Sequence, residues 1–165
     1  RIRILGQDHP DTLSTYNNLA GALLRLGRIE EAFEQYEQVL IERTRILGKD
    51  HPDTLTTRNN LAYVYQEAGL LDEATEIYKS VLADRIRILG KDHPHTLTSR
   101  NNLAYAYSSA GRLTEAVTLF EQVLTASIRV LGEDHPDTLT SRNNLANAYS
   151  SAAAQATPSP CMSRC

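Results

Sequence analysis

Apolar residues return along this chain at helical spacing, in two stripes that then recur. Within residues 50–92 the first stripe is Leu55, Leu61, Ala62 and Tyr65, and the second is Leu71, Ala74, Tyr78, Val81 and Leu82. Asp50 or His51 can cap the first helix, whose opening turn holds Pro52 and Asp53, where proline and an acid are favoured. Ala68-Gly69 ends that helix, because glycine enters the left-handed conformation that follows many helices. The second helix is expected from about Leu71 to Leu89, where Gly90 stops it, and Asp92-His93-Pro94 opens the next pair. No strand pattern intervenes.

The pair is itself a repeat. Gly6, Gly48, Gly90 and Gly132 lie 42 residues apart, as do Pro10, Pro52, Pro94 and Pro136. Asn17-Asn18 returns as Asn59-Asn60, Asn101-Asn102 and Asn143-Asn144, always followed by Leu-Ala. Residues 98–109 and 140–151 differ at a single position. Helix pairs repeated in this way bury their stripes against their neighbours, so the expected fold is all-α, an α-solenoid.

Composition narrows the function. The chain has 165 residues, is 41% hydrophobic and carries a net charge of −3. Its mild acidity leaves no electrostatic footprint for nucleic acid. No apolar run approaches the ~18–20 residues of a membrane span. The two cysteines, Cys161 and Cys165, sit in the last five residues and cannot hold the fold together. Together these features favour a soluble, cytoplasmic protein that is not an enzyme and needs no cofactor. Catalysis has no other support: phosphate loop, nucleophile elbow and unrepeated acid–base cluster are all missing from the sequence. His9, His51, His93 and His135 lie a repeat apart beside prolines, which suits helix starts better than a metal. His93-x-His95 and Cys161-x3-Cys165 are incomplete ligand sets. Glu30, Glu31, Glu34, Glu37 and Glu42 read as a solvated face.

The spacing Leu61-Ala62, Tyr65, Gly69, Ala74, Tyr78 resembles the tetratricopeptide signature. The 42-residue period, LGKDHPDTL and NNLAYVY are similar to the kinesin light chain type of that repeat, over residues 1–152. The resemblance implies a right-handed superhelix that acts as an interaction scaffold and binds an extended peptide of a protein partner in its concave groove. By the same resemblance the first helix of each pair lines the groove. It would turn Asn17, Asn18, Thr56, Asn59, Asn60, Tyr63, Gln66, Glu67, Ser99, Asn101, Asn102, Tyr105, Asn143 and Asn144 inward. Helix interiors disfavour asparagine, so a doublet in every repeat needs compensation. A carboxamide both donates to and accepts from a peptide backbone, while one asparagine of each pair can instead bridge adjacent repeats. Binding is expected to lean on Asn60 and Asn102, with affinity near micromolar (about −8 kcal/mol). Arg58, Arg100 and Arg142 stand where the family carries a large apolar residue, and are expected to pair with acids. The alternative function is a structural, self-assembling or sensor array in a larger signalling protein.

Residues 1–6 repeat residues 85–90, so the chain is expected to open in the last turns of a second helix. Three full repeats and the first helix of a fourth follow, to residue 152. Residues 153–165 match nothing upstream and are expected to form an irregular tail. Codon arithmetic suggests its origin. In a shifted frame the codons around residues 160–165 permit Leu-Tyr-Glu-Gln-Val, against Leu119-Phe120-Glu121-Gln122-Val123 in register. Slightly upstream the same frame permits Asp-Ala-Ile-Pro, against Glu115-Ala116-Val117-Thr118. A one-base insertion or deletion near residue 153 is therefore expected in the coding DNA. Without its packing partner, the helix bearing Leu139, Leu145, Ala146 and Tyr149 is expected to favour homo-oligomers.

Overall fold

The computed structural model describes residue 6 and residues 9–156. These hold seven helices and no strand: α1 (Pro10–Arg25), α2 (Ile29–Leu47), α3 (Pro52–Glu67), α4 (Leu71–Leu89), α5 (Pro94–Ser109), α6 (Leu113–Leu131) and α7 (Pro136–Ala156). The chain forms two compact units, the first running to Ser99 and the second starting at Arg100. In the first, α1 packs on α2, α2 on α3 and α3 on α4; in the second, α6 packs on α7.

Each odd-numbered helix opens on a histidine that does a capping oxygen's work. His51 Nδ1 accepts from the Asp53 amide at 3.1 Å, which settles the choice between Asp50 and His51. His9, His93 and His135 accept in the same way from the amides of residues 11, 95 and 137, each at 3.2 Å. The imidazole thus satisfies one of the amides that a helix start leaves unpaired. At the other end of α3, Gly69 has φ +80°. Its amide bonds the Gln66 carbonyl at 3.0 Å and the Leu70 amide bonds the Tyr65 carbonyl at 2.9 Å, the paired closure of a Schellman motif.

The core runs between helix pairs. Ala20 and Leu23 of α1, Ala32 and Tyr36 of α2, and Leu61 and Val64 of α3 form one buried cluster. Small residues at Ala20, Ala32, Ala62 and Ala74 are fully buried, allowing the helices to approach closely. The stripe in α4 is buried as expected at Ala74, Tyr78, Val81 and Leu82. Tyr65 is only partly covered, and Val64 takes the deep position beside it.

One boundary is corrected. α7 continues to Ala156, so residues 153–156 are helical and not an irregular tail. The run Ala152-Ala153-Ala154-Gln155 explains this: alanine and glutamine are good helix formers, and local propensity extends the helix. The remaining residues of the expected tail, and the expected helix end at residues 1–5, lie outside the described residues. Within α7, Leu145 is partly buried, while Leu139, Ala146 and Tyr149 are exposed. No described helix is long and apolar enough to cross a membrane.

Candidate functional site

The asparagine doublets sit mid-helix on the first helix of each pair, and in α1 and α3 the structure separates their two members. In the first unit Asn17 is partly buried, and its Oδ1 lies 3.3 Å from Thr57 Oγ1 of α3, whose single proton it shares with the Asp53 carbonyl at 3.0 Å. Thr57 in turn accepts from Arg43 at 2.8 Å, so Asn17 belongs to a packed hydrogen-bond chain between repeats. Asn18 is exposed and Asn60 partly buried. Among the described residues neither carboxamide has a side-chain partner, so both keep a donor and an acceptor for a ligand. Asn59 and Gln66 are partly buried and already engaged. Tyr63 is 45% exposed on the same helix; burial raises its hydroxyl pKa, and a hydrogen bond to Glu67 raises it further.

In the second unit Asn144 Nδ2 donates to Asn101 Oδ1 at 3.1 Å, again tying one first helix to the next. Asn102 is partly buried and engaged, and Asn143 is exposed. Tyr105 sets its ring against the edge of Phe120, with centroids 5.2 Å apart at 78°. The same register position in the first repeat is Gly21, where an added Cβ would stand 3.1 Å from the Tyr36 hydroxyl. An aromatic residue on the second helix therefore underlies this column of the first helix, whether the position above holds a tyrosine or a glycine.

Two expected inward residues are spent internally. Ser99 is fully buried, a correction to its groove-facing placement: Arg85 Nη1 donates to its hydroxyl at 2.8 Å. Thr56 is partly buried, donates to the Pro52 carbonyl at 2.9 Å and accepts from Arg85 Nη2 at 3.2 Å. Arg58 behaves as expected of it, reaching Asp84 at 2.8 Å and Ser80 at 2.7 Å. Asp84 also meets Arg87 at 3.1 Å. Burial alone would raise the Asp84 pKa, but its hydrogen bonds to both arginines, with their charges, hold it below the usual carboxylate value. Arg142 approaches Glu133 at 3.7 Å.

The residues that the sequence reading missed are Arg43 and Arg85, both 4% exposed. Arg43 donates to the Asp53 carbonyl at 3.0 Å, to Thr57 at 2.8 Å and to Ser14 at 3.0 Å. Arg85 does the same one repeat later, to the His95 carbonyl at 3.0 Å, to Ser99 and to Thr56. Each guanidinium pins three helices together, and its planar fork suits several acceptors at once. Burial lowers the pKa of both arginines, with Asp53 opposing the shift at Arg43. The signal was the column Arg1, Arg43, Arg85, Ser127 at the repeat interval. Where Ser127 replaces arginine, a 3.4 Å contact with Ser141 is what remains among the described residues.

A family model described as tetratricopeptide repeat matches residues 1–40, 11–86, 53–129 and 101–156, which together cover most of the chain. The chain belongs to the tetratricopeptide repeat family. Tetratricopeptide repeats generally serve as protein-interaction modules, on scaffolds that are generally not enzymes. Solved tetratricopeptide-like structures agree. A Podosopora anserina protein assigned as a kinesin light chain with nearly identical TPR-like repeats is 35% identical, over 93% of this chain and 72% of that one, at a TM-score of 0.74. A point variant of that protein gives 0.77 at the same identity and coverage. BtubC (BKLC) from P. vanneervenii is 25% identical over 86% of this chain and 57% of that one, at a TM-score of 0.76. No curated protein matches. The tetratricopeptide repeats here are thus of the kinesin light chain-like kind, arranged as an all-α repeat solenoid.

Proposed function

We propose that the chain binds an extended peptide segment of a protein partner along the asparagine-bearing face of its first helices. The unengaged carboxamides of Asn18 and Asn60, one repeat apart in the first unit, carry this reading. Spaced amides that donate and accept hold a peptide by its backbone, with little regard to its side chains. Tyr63 stands beside them as the exposed aromatic surface. Asn17 and Asn101 then serve to fix the face, through Thr57 and Asn144, while Asn59, Gln66, Asn102, Tyr105, Asn143 and Asn144 complete the set of polar and aromatic residues on the first helices.

The test begins with a randomised peptide library selected on the immobilised protein, whose strongest binder is then titrated by calorimetry. Exchanging Asn18 and Asn60 together for alanine is expected to weaken that binder at least about tenfold, the loss of two hydrogen bonds near 1 kcal/mol each. Melting temperature should hold or rise, because alanine favours a helix more than asparagine does. Unchanged affinity with a lower melting temperature would assign both asparagines to structure alone.

A second reading, self-assembly in the cytoplasm, draws on the exposed Leu139, Ala146 and Tyr149 of α7. Sedimentation velocity is expected to show concentration-dependent dimers or short oligomers that Leu139→Glu with Tyr149→Lys abolishes. A protein that stays monomeric at high concentration contradicts it.

A further inference from the structure

A slot of about 570 Å³ opens between the first half of α2 and the last turns of α3, and no asparagine of the doublets lines it. Its walls are apolar: Phe33 meets the Tyr65 ring edge-on at 5.5 Å, with Val64 beneath and the exposed Leu70 at one end. Along its rim Glu30, Glu34 and Glu37 present one acidic edge of α2, all three exposed. Among the described residues no basic side chain pairs with any of them. Neighbouring acids on the same helix are compensated: Glu31 by Arg28 at 2.5 Å and Glu42 by Arg45 at 2.7 Å.

The following repeat shows what this slot lacks. The position of Glu37 is there Lys79, paired with Glu76 at 2.7 Å. The position of Leu70 is there Arg112, whose guanidinium lies 4.2 Å from the centroid of the Tyr107 ring and pairs with Glu115. Tyr107 holds the register position of Tyr65. Glu37 and Leu70 are thus an acid and an apolar residue at the positions where the cations Lys79 and Arg112 stand 42 residues later. We infer that the α2–α3 slot is a docking site for a basic segment of a partner protein, which seats an apolar side chain against the paired rings of Phe33 and Tyr65 and sets flanking arginines against Glu34 and Glu37. The charge complementarity and the cation-on-tyrosine precedent at Arg112 select a basic occupant over an acidic or neutral one. A volume of this size accepts one large side chain with part of its neighbours, which fits an anchor residue and not a whole helix.

No asparagine of the doublets lines the slot, so its test runs on different variants. A fluorescein-labelled peptide with the alternating core Arg-Leu-Arg-Leu, flanked by glycines, is titrated by anisotropy in low-salt buffer, beside a control in which glutamate replaces arginine. Saturable binding of the basic peptide alone is expected, at roughly tens to hundreds of micromolar. Glu34→Gln with Glu37→Gln, both exposed, should weaken it about tenfold, as the loss of two partly desolvated ion pairs implies. Leu70→Arg should abolish it by supplying the missing cation from the chain itself. That backbone position accepts arginine, since Arg28 and Arg112 occupy it with nearly the same dihedral angles. Binding that both variants leave intact, equal binding of the acidic control, or no saturable binding overturns the proposal. So does binding that is lost in the Asn18→Ala, Asn60→Ala protein and kept in the slot variants, a result that would leave the asparagine face as the only peptide site.

Discussion

Replacing Arg85 with alanine is expected to lower the unfolding free energy by about 3 kcal/mol, a large share of the roughly 5–15 kcal/mol of an ordinary domain. Three acceptors lose a charged donor at once: the His95 carbonyl, Ser99 and Thr56. Hydrogen bonds to charged groups contribute about 1.5–3 kcal/mol each, but the sum is offset, because burial already disfavours the guanidinium. Arg85→Met, which keeps the stem and removes the donors, should therefore cost less than Arg85→Ala, which also leaves a cavity. The reverse change is informative as well. Ser127 faces Ser141, whose hydroxyl bonds the Asp137 carbonyl, the same acceptor pair that Arg43 finds at Thr57 and Asp53. Ser127→Arg should raise the melting temperature. Chemical denaturation of the four proteins checks the order; equal stability of Arg85→Ala and the parent chain would remove the clamp from the account of the fold.

Tyr36→Ala should be at least as damaging, about 3–5 kcal/mol by analogy with other large aromatic truncations. Tyr36 is 4% exposed and fills the junction where α1, α2 and α3 meet, in contact with the cluster of Ala20, Leu23, Ala32, Leu61 and Val64. Burial raises the pKa of its hydroxyl, against a lowering by the Arg25 charge. Tyr36→Phe keeps the ring and should be mild. Because each repeat touches only its neighbours, the damage should stay local, and the first helix pair should melt ahead of the rest. Hydrogen exchange that shows α1 and α2 opening together in Tyr36→Ala is the expected signature. A single unbroken transition at the parent's midpoint contradicts it.

Sequence periodicity was enough for the helices, because their apolar stripes and their punctuation by proline and glycine agree in every repeat. It placed the histidines at helix starts but could not choose between Asp50 and His51, since both residue types carry an acceptor at neighbouring positions. It ended the last helix early, at residue 152, because the break in repeat similarity coincides with an alanine run that helix propensity continues. The two asparagines of each doublet look alike in sequence; only packing shows that Asn17 and Asn101 reach the next repeat while Asn18 and Asn60 do not. Ser99 looked like its polar neighbours on α5 until the buried Arg85 claimed it. The acidic edge of Glu30, Glu34 and Glu37 read as a plain solvated face. Its meaning depends on Leu70 standing where Arg112 stands one repeat later, a difference that matters only once both are seen beside a tyrosine.

In the proposed complex the carboxamides of Asn18 and Asn60 meet a peptide backbone. Their side-chain amide resonances, followed by NMR while the library-selected peptide is titrated, test it most directly. Both should shift and saturate at the dissociation constant measured by calorimetry, while the Asn17 amide, held by Thr57, moves little. Saturation of the peptide with the Asn18 and Asn60 side-chain amides unmoved would contradict it.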